Sequence, residues 1–291
     1  MRRSAAATLG CALALASNPA HAQAQSPRPT RIVSLELCTD QLLVELVERE
    51  RIAAVTFLAA DPASSAIPGK AAGIPVTRGG AEDVLRHDPD LVLAGPYGVA
   101  PTVDLLRRLG RHVVVIPQAT DLDDVRAAVR AVAAAVGEEA RGEAMVARFD
   151  RRLASLPPAG PGPGPGPAPA PSAVVYEIGG AVSGAGSLAD AELAAAGLRN
   201  AADRYRRTRS GRVPLELLIA DPPDLVVISR AADTYRTVVA DNLRHPALQL
   251  LRQRTASIEL SWPLWLCGTP HVAEAVARLA EARAAIEARR R

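Results

Sequence analysis

Two glutamates stand at matching places in two related stretches of the chain. Residues 82–93 read EDVLRHDPDLVL and residues 216–227 read ELLIADPPDLVV. Glu82 and Glu216 each stand seven residues before the Pro of a Pro-Asp-Leu-Val, and they are 134 positions apart, as are Asp90 and Asp224. A single such Glu has a structural use: at the first turn of a helix it complements the macrodipole, worth about 0.3–1 kcal/mol, and Pro-Asp then ends the helix and opens a strand. Two copies on two equivalent units have a second use. A pair of carboxylates held apart on rigid elements can engage two arginines of a partner, each in bidentate geometry. Cys38 and Cys267 offer a different chemistry: a disulfide, a metal-ligand pair, or two small buried side chains, with no histidine at zinc spacing beside them. Nucleotide-binding, zinc-protease and hydrolase signatures (G-x-x-x-x-G-K-[ST], H-E-x-x-H, G-x-S-x-G) are absent, and GGAVSGAGS (179–187) does not fit the dinucleotide fingerprint. An exported hydrolase is therefore the weaker alternative, and a binding protein rather than an enzyme is expected.

The elements that must position these residues alternate between strand and helix. RIVSL (31–35) and IAAVTFL read as strands on either side of a helix QLLVELVER that Thr39 or Asp40 could cap. Helix 82–88, strand LVLAG, helix 101–109, strand HVVVIP and an Ala-rich helix from Asp121 or Asp123 follow, with Gly137 as a break. Residues 138–156 read as a long helix whose apolar positions would be Ala140, Ala144, Val146, Ala147 and Leu153. The Pro/Gly tract 157–172 cannot continue it. Strand AVVYEIGG, helices 188–196 and 214–220, strand LVVIS, a helix near 238–251, strand TASIEL and a last helix from Pro270 complete the chain. This predicts an α/β fold with mainly parallel sheets, in two lobes of similar make-up joined by a long helix. The expected divisions are an N-terminal lobe 23–137, the connecting helix 138–156, a surface loop 157–172 and a C-terminal lobe 173–291.

Residues 1–22 are set apart. Arg2 and Arg3, the apolar run ATLGCALALA and Ala20-His21-Ala22 make a secretory signal peptide, so a soluble periplasmic product is expected. Hydrophobic residues are 48% of the 291, ample for packed cores. Without Arg2 and Arg3 there remain 32 Lys and Arg against 31 Asp and Glu, which argues against a nucleic-acid partner.

RIVSL, the two E-x6-P-D-L-V units, AAGLRN (195–200), PLELL (214–218) and CGTP-x3-EAV together resemble the periplasmic binding proteins of ABC importers, in the group that handles vitamin B12, ferric siderophores and haem. The resemblance covers about residues 30–285. It implies two doubly wound lobes joined by a long rigid backbone helix with the ligand cleft between them, and a monomer that holds one metal chelate there and docks on an inner-membrane permease through Glu82 and Glu216; no resident cofactor is called for. Ligands meet the carboxyl ends of strands in such lobes, which singles out Glu36, Cys38, Thr39, Tyr97 and Gln118, then Tyr176, Glu177, Ser229, Arg230, Trp262 and Trp265. By the family's layout the Arg-rich loop 203–212, with Arg206, Arg207 and Arg209, lies near the cleft. Its guanidinium groups would suit an anionic ferric siderophore. The two Trp have an alternative place, packed over the final helix. AADPAS (59–64) lacks an aromatic that the vitamin B12 protein carries, and so does Val213, so cobalamin is the less favoured ligand. Haem would need an axial group such as Tyr97, Tyr176 or His271. A carrier without an importer is a further alternative.

Overall fold

The computed structural model describes residues 28–158, 169–205, 210–230 and 243–290. The first sheet is built from β1 (Ile32–Ser34), β2 (Ile52–Thr56), β3 (Val76–Thr77), β4 (Leu91–Ala94) and β5 (Val113–Val115), in the order β3-β2-β1-β4-β5 and parallel throughout. Successive side chains point to opposite faces, and the sequence uses both. Ile32, Leu91 and Leu93 pack beneath α1 (Leu37–Leu46) and α5 (Leu122–Val136); Val33, Val92 and Ala94 pack against α3 (Ala81–Arg86) and α4 (Ala100–Arg108). A short α2 (Pro68–Ala71) lies between β2 and β3. Fully buried side chains such as Leu43, Leu91 and Leu106 each contribute about 1.5–3 kcal/mol.

The second sheet has six strands: β6 (Ser172–Tyr176), β7 (Ala181–Ser183), β8 (Arg199–Asn200), β9 (Ser210–Arg212), β10 (Leu225–Arg230) and β11 (Ala256–Ser261), ordered β11-β10-β6-β7-β9 with β8 also on β6. The same alternation recurs. Ala173, Val175, Leu225 and Val227 face α7 (Leu188–Ala195) and α10 (Val272–Arg289). Val174, Tyr176, Val226 and Ile228 face α8 (Leu215–Ala220) and α9 (Pro246–Arg254). The sheet is not wholly parallel, because β7 runs antiparallel to both β6 and β9.

The repeat noticed in the sequence has a structural core in its aspartates. Asp90 accepts hydrogen bonds from Thr30 N, Thr30 Oγ1 and Arg31 N, at the entry to β1. Asp224 accepts from Ser172 N and Ser172 Oγ, at the entry to β6. In each lobe the Asp that opens one strand ties down the start of the neighbouring strand, β4 to β1 and β10 to β6.

Between β5 and β6 the chain passes through α5 and α6 (Glu139–Ala154), separated by Gly137 in the left-handed region. The buried positions of α6 are Gly142, Met145, Val146 and Phe149, whereas Ala140 and Ala144 are exposed. Val146 is buried and Leu153 packs on the core clusters as the expected stripe has them; the stripe fails at Ala140 and Ala144, because alanines fit either face, while Gly142 marks the seam with α5. A Cβ there would come 2.5 Å from Ala133 Cβ of α5.

Three further expectations change. Helix α1 begins earlier than expected and is capped by Glu36, not by Thr39 or Asp40, which are buried. Ser210–Arg212 of the Arg-rich loop form the edge strand β9. The helix expected near 238–251 is Pro246–Arg254, and residues 231–242 lie outside the described residues, as do the signal peptide and 159–168 of the Pro/Gly tract.

Candidate cleft between the lobes

Several contacts tie the stretch from Cys267 to the first turn of α10 to the first lobe and to α6. Cys38, in the first turn of α1 just beyond β1, is disulfide-bonded to Cys267, beyond β11 and before α10. A Cβ on the next residue, Gly268, would come 2.2 Å from Ala119 Cβ of the first lobe, so only glycine allows that approach. His271 Nε2 stands 3.3 Å from Glu45 Oε2 of α1, and Arg152 of α6 reaches Glu274 of α10 at 3.1 Å. Ala119, Val125, Phe149, Val272 and Ala273 form an apolar cluster drawn from both lobes and α6. Burial pushes Glu45 up, but the His271 imidazole and the Lys70 ammonium together outweigh it and hold its carboxyl at about 2.

In the first sheet the strand order reverses between β1 and β4, and at such a switch point the loops diverge and leave a crevice. Glu36 and Cys38 follow β1, and Tyr97 follows β4. Glu36 accepts from Cys38 N at 3.0 Å and Thr39 N at 3.2 Å; its pKa is raised by burial, against those two bonds. Tyr97 is 70% exposed. Phe57, the first residue beyond β2, is 59% exposed, and Gln118 beyond β5 is also exposed. Phe57 was not singled out from the sequence, because IAAVTFL reads as one strand; ending that strand at Thr56 would have placed Phe57 at a carboxyl end.

The second lobe contributes differently from expectation. Tyr176 is 2% exposed and packs in the core against α8 and α9, because its ring lies on the inner face of β6; it is a packing residue. Trp265 is 8% exposed and Trp262 half-buried, both in the cluster formed with Ala275, Val276 and Leu279 of α10. They therefore take the place over the final helix, with part of Trp262 still open. Glu177 is half-buried, and burial raises its carboxyl. Val213 is buried. Arg206, Arg207 and Arg209 lie outside the described residues, and the side chains of Ser229 and Arg230, at the end of β10, do so too.

Glu82 and Glu216 are exposed, each the second residue of its helix. Neither pairs with another side chain among the described residues. The structural duty at the start of α3 falls to Asp83, which accepts from Arg78 N and Thr77 Oγ1 at 2.8 Å and is held at about 2, first by the Arg78 amide. Helix α3 follows the carboxyl end of β3. Helix α8 follows β9, which runs parallel to β6 because both are antiparallel to β7. Both glutamates thus start helices at the carboxyl edge of their own sheet.

Among the described residues no helix is long and apolar enough to cross a membrane. Comparison with known proteins agrees with this architecture. The periplasmic heme-binding protein RhuT from Roseiflexus sp. RS-1 superimposes with a TM-score of 0.71 at 24% identity, over 88% of this chain and 98% of that one. An ABC-type Fe3+-hydroxamate transport protein from Saccharomonospora viridis superimposes with a TM-score of 0.63 at 22% identity, over 88% and 93%. A cobalamin-binding protein of Halobacterium salinarum is 30% identical over 211 residues, 70% of this chain and 55% of its own length. The chain thus spans about half the length of the curated relatives it matches. A family model described as periplasmic binding protein matches residues 32–252, and the chain belongs to that family.

Proposed function

We propose that the protein is the soluble periplasmic receptor of an ABC importer, that it captures one metal chelate between its lobes, and that the chelate is a planar macrocycle of the corrinoid or haem kind. The observation that carries the ligand class is the pair Phe57 and Tyr97. They are the most exposed aromatic side chains among the described residues, and both stand at carboxyl ends of first-lobe strands. Aromatic residues are only 3% of the chain, and two exposed rings just beyond first-lobe strands are suited to stack on a flat ligand. The ferric siderophore expected from the sequence rests on Arg206, Arg207 and Arg209, outside the described residues. The siderophore is kept as the second reading. The cobalamin-binding relative favours the first.

On this reading the signal peptide directs export, and the monomer keeps its lobes at a nearly fixed spacing across α6. Glu82 and Glu216 face arginines of the permease. The test is a titration of the mature chain with cobalamin, haem and a ferric hydroxamate, followed through Trp262 and Trp265 fluorescence. A planar chelate saturates at one per chain, and Phe57→Ala or Tyr97→Ala weakens it about tenfold, the equivalent of about 1.4 kcal/mol. Undiminished affinity in both variants would defeat the stacking site.

A further inference from the structure

Cys38 Sγ, Cys267 Sγ and a Glu36 carboxylate oxygen lie within 4.8 Å of one another. A disulfide has no need of a carboxylate at its side, and this one is set in place on three sides. The amides of Cys38 and Thr39 orient it. Behind it stands Gly95, where a Cβ would come 2.7 Å from Glu36 Cγ. Glutamate is also an unusual choice at that position, since helix N-caps favour Ser, Thr, Asp and Asn. The sequence gives the cysteines no third ligand, because Glu36 is noticed only as a residue after a strand; the fold supplies it.

We propose that the reduced form of this cluster is a cation site. Cys38 and Cys267 thiolates and the Glu36 carboxylate would hold a borderline or soft ion of the Zn2+, Cd2+ or Cu+ class, bridging the two lobes with a fourth position open. The disulfide and the metal site are alternative states of one cross-link. Reduction requires a dithiol partner: its two thiols become a disulfide, giving two electrons and two protons to the Cys38–Cys267 bond. The cation then displaces both thiol protons. Two Zn–S bonds of about 2.3 Å in tetrahedral geometry place the sulfurs roughly 3.8 Å apart, a change that side-chain rotation at the two cysteines accommodates.

The experiment uses the full mature chain and the bare cation, so its result does not depend on the chelate reading. Protein reduced with a phosphine under anaerobic conditions is titrated with Cd2+, and the thiolate-to-cadmium charge-transfer band is read. The band saturates at one cadmium per chain, is absent from unreduced protein, and is lost in Cys267→Ser. Glu36→Gln keeps two titratable thiols yet weakens cadmium about tenfold or more, by analogy with lost partners at metal sites. Two titratable thiols with no saturable band would overturn the proposal. So would a Cys267→Ser chain that binds as tightly as the parent, or a Glu36→Gln chain that binds unchanged.

Discussion

Asp40 is the clearest case of a single residue whose meaning changed with its surroundings. As part of ELCTD it reads as a helix cap; folded, it is fully buried in α1 and accepts from Thr56 N at 3.2 Å and Thr56 Oγ1 at 2.5 Å. Burial pushes its carboxyl up to about 7, above the usual value of about 3.9. From about pH 4 to pH 7 the folded chain therefore keeps a proton that the unfolded chain releases. The contribution of Asp40 to stability is full below that window, is lost as pH rises through it at up to about 1.4 kcal/mol per unit, and levels off above. Asp40→Asn keeps an acceptor for Thr56 and should remove this slope, as read from urea midpoints across the window; an unchanged slope would show that another group sets it. Glu82 and Glu216 were legible in the sequence because their type and spacing repeat. Phe57 and the partners of Asp40 were not, because a strand's last residue and a buried carboxyl's donors depend on which elements meet.

Strand and helix identity was legible for most elements because buried parallel strands are short apolar runs and the helices between them are punctuated by Gly, Pro and Asp. The buried face of α6 was legible at Val146 and Leu153 but not at its first turns. Its alanines carry no preference for either face, and the deciding residue is a glycine whose value lies in the neighbouring helix. Gly142→Ala sets two effects against each other. Helix propensity gains about 1 kcal/mol, while overpacking against Ala133 costs about 1–3 kcal/mol, so a net loss of up to about 2 kcal/mol is expected in thermal melts. Gly69 of α2 has no atom within 4 Å of an added Cβ, and Gly69→Ala should show no such loss. Equal effects at the two sites would contradict the close α5–α6 seam. The short strands β3, β7, β8 and β9 escaped the sequence for a related reason: two or three residues define no period, and their pairing is fixed by the larger strands beside them.

For the whole molecule, the disulfide, the Glu45–His271 contact and the mixed apolar cluster tie the lobes together, and the Arg152–Glu274 bridge holds the connecting helix to α10, which favours small closure and a surface of fixed spacing. Such a surface suits docking at two points. Replacing both Glu82 and Glu216 by Arg should abolish uptake in vesicles carrying the permease while leaving chelate affinity intact. Lost affinity would place the two residues in the cleft instead. The two-lobe plan followed from the repeat, and the Cys38–Cys267 disulfide was among the alternatives the two cysteines offered; the fold decides it by bringing together residues 229 positions apart, while the Glu45–His271 contact had no signal in the sequence. The most direct measurement is native mass spectrometry of the mature chain with equimolar cobalamin, haem and a ferric hydroxamate. The expected spectrum carries one planar macrocycle per chain; a chain that takes up only the siderophore, or nothing, would contradict the account.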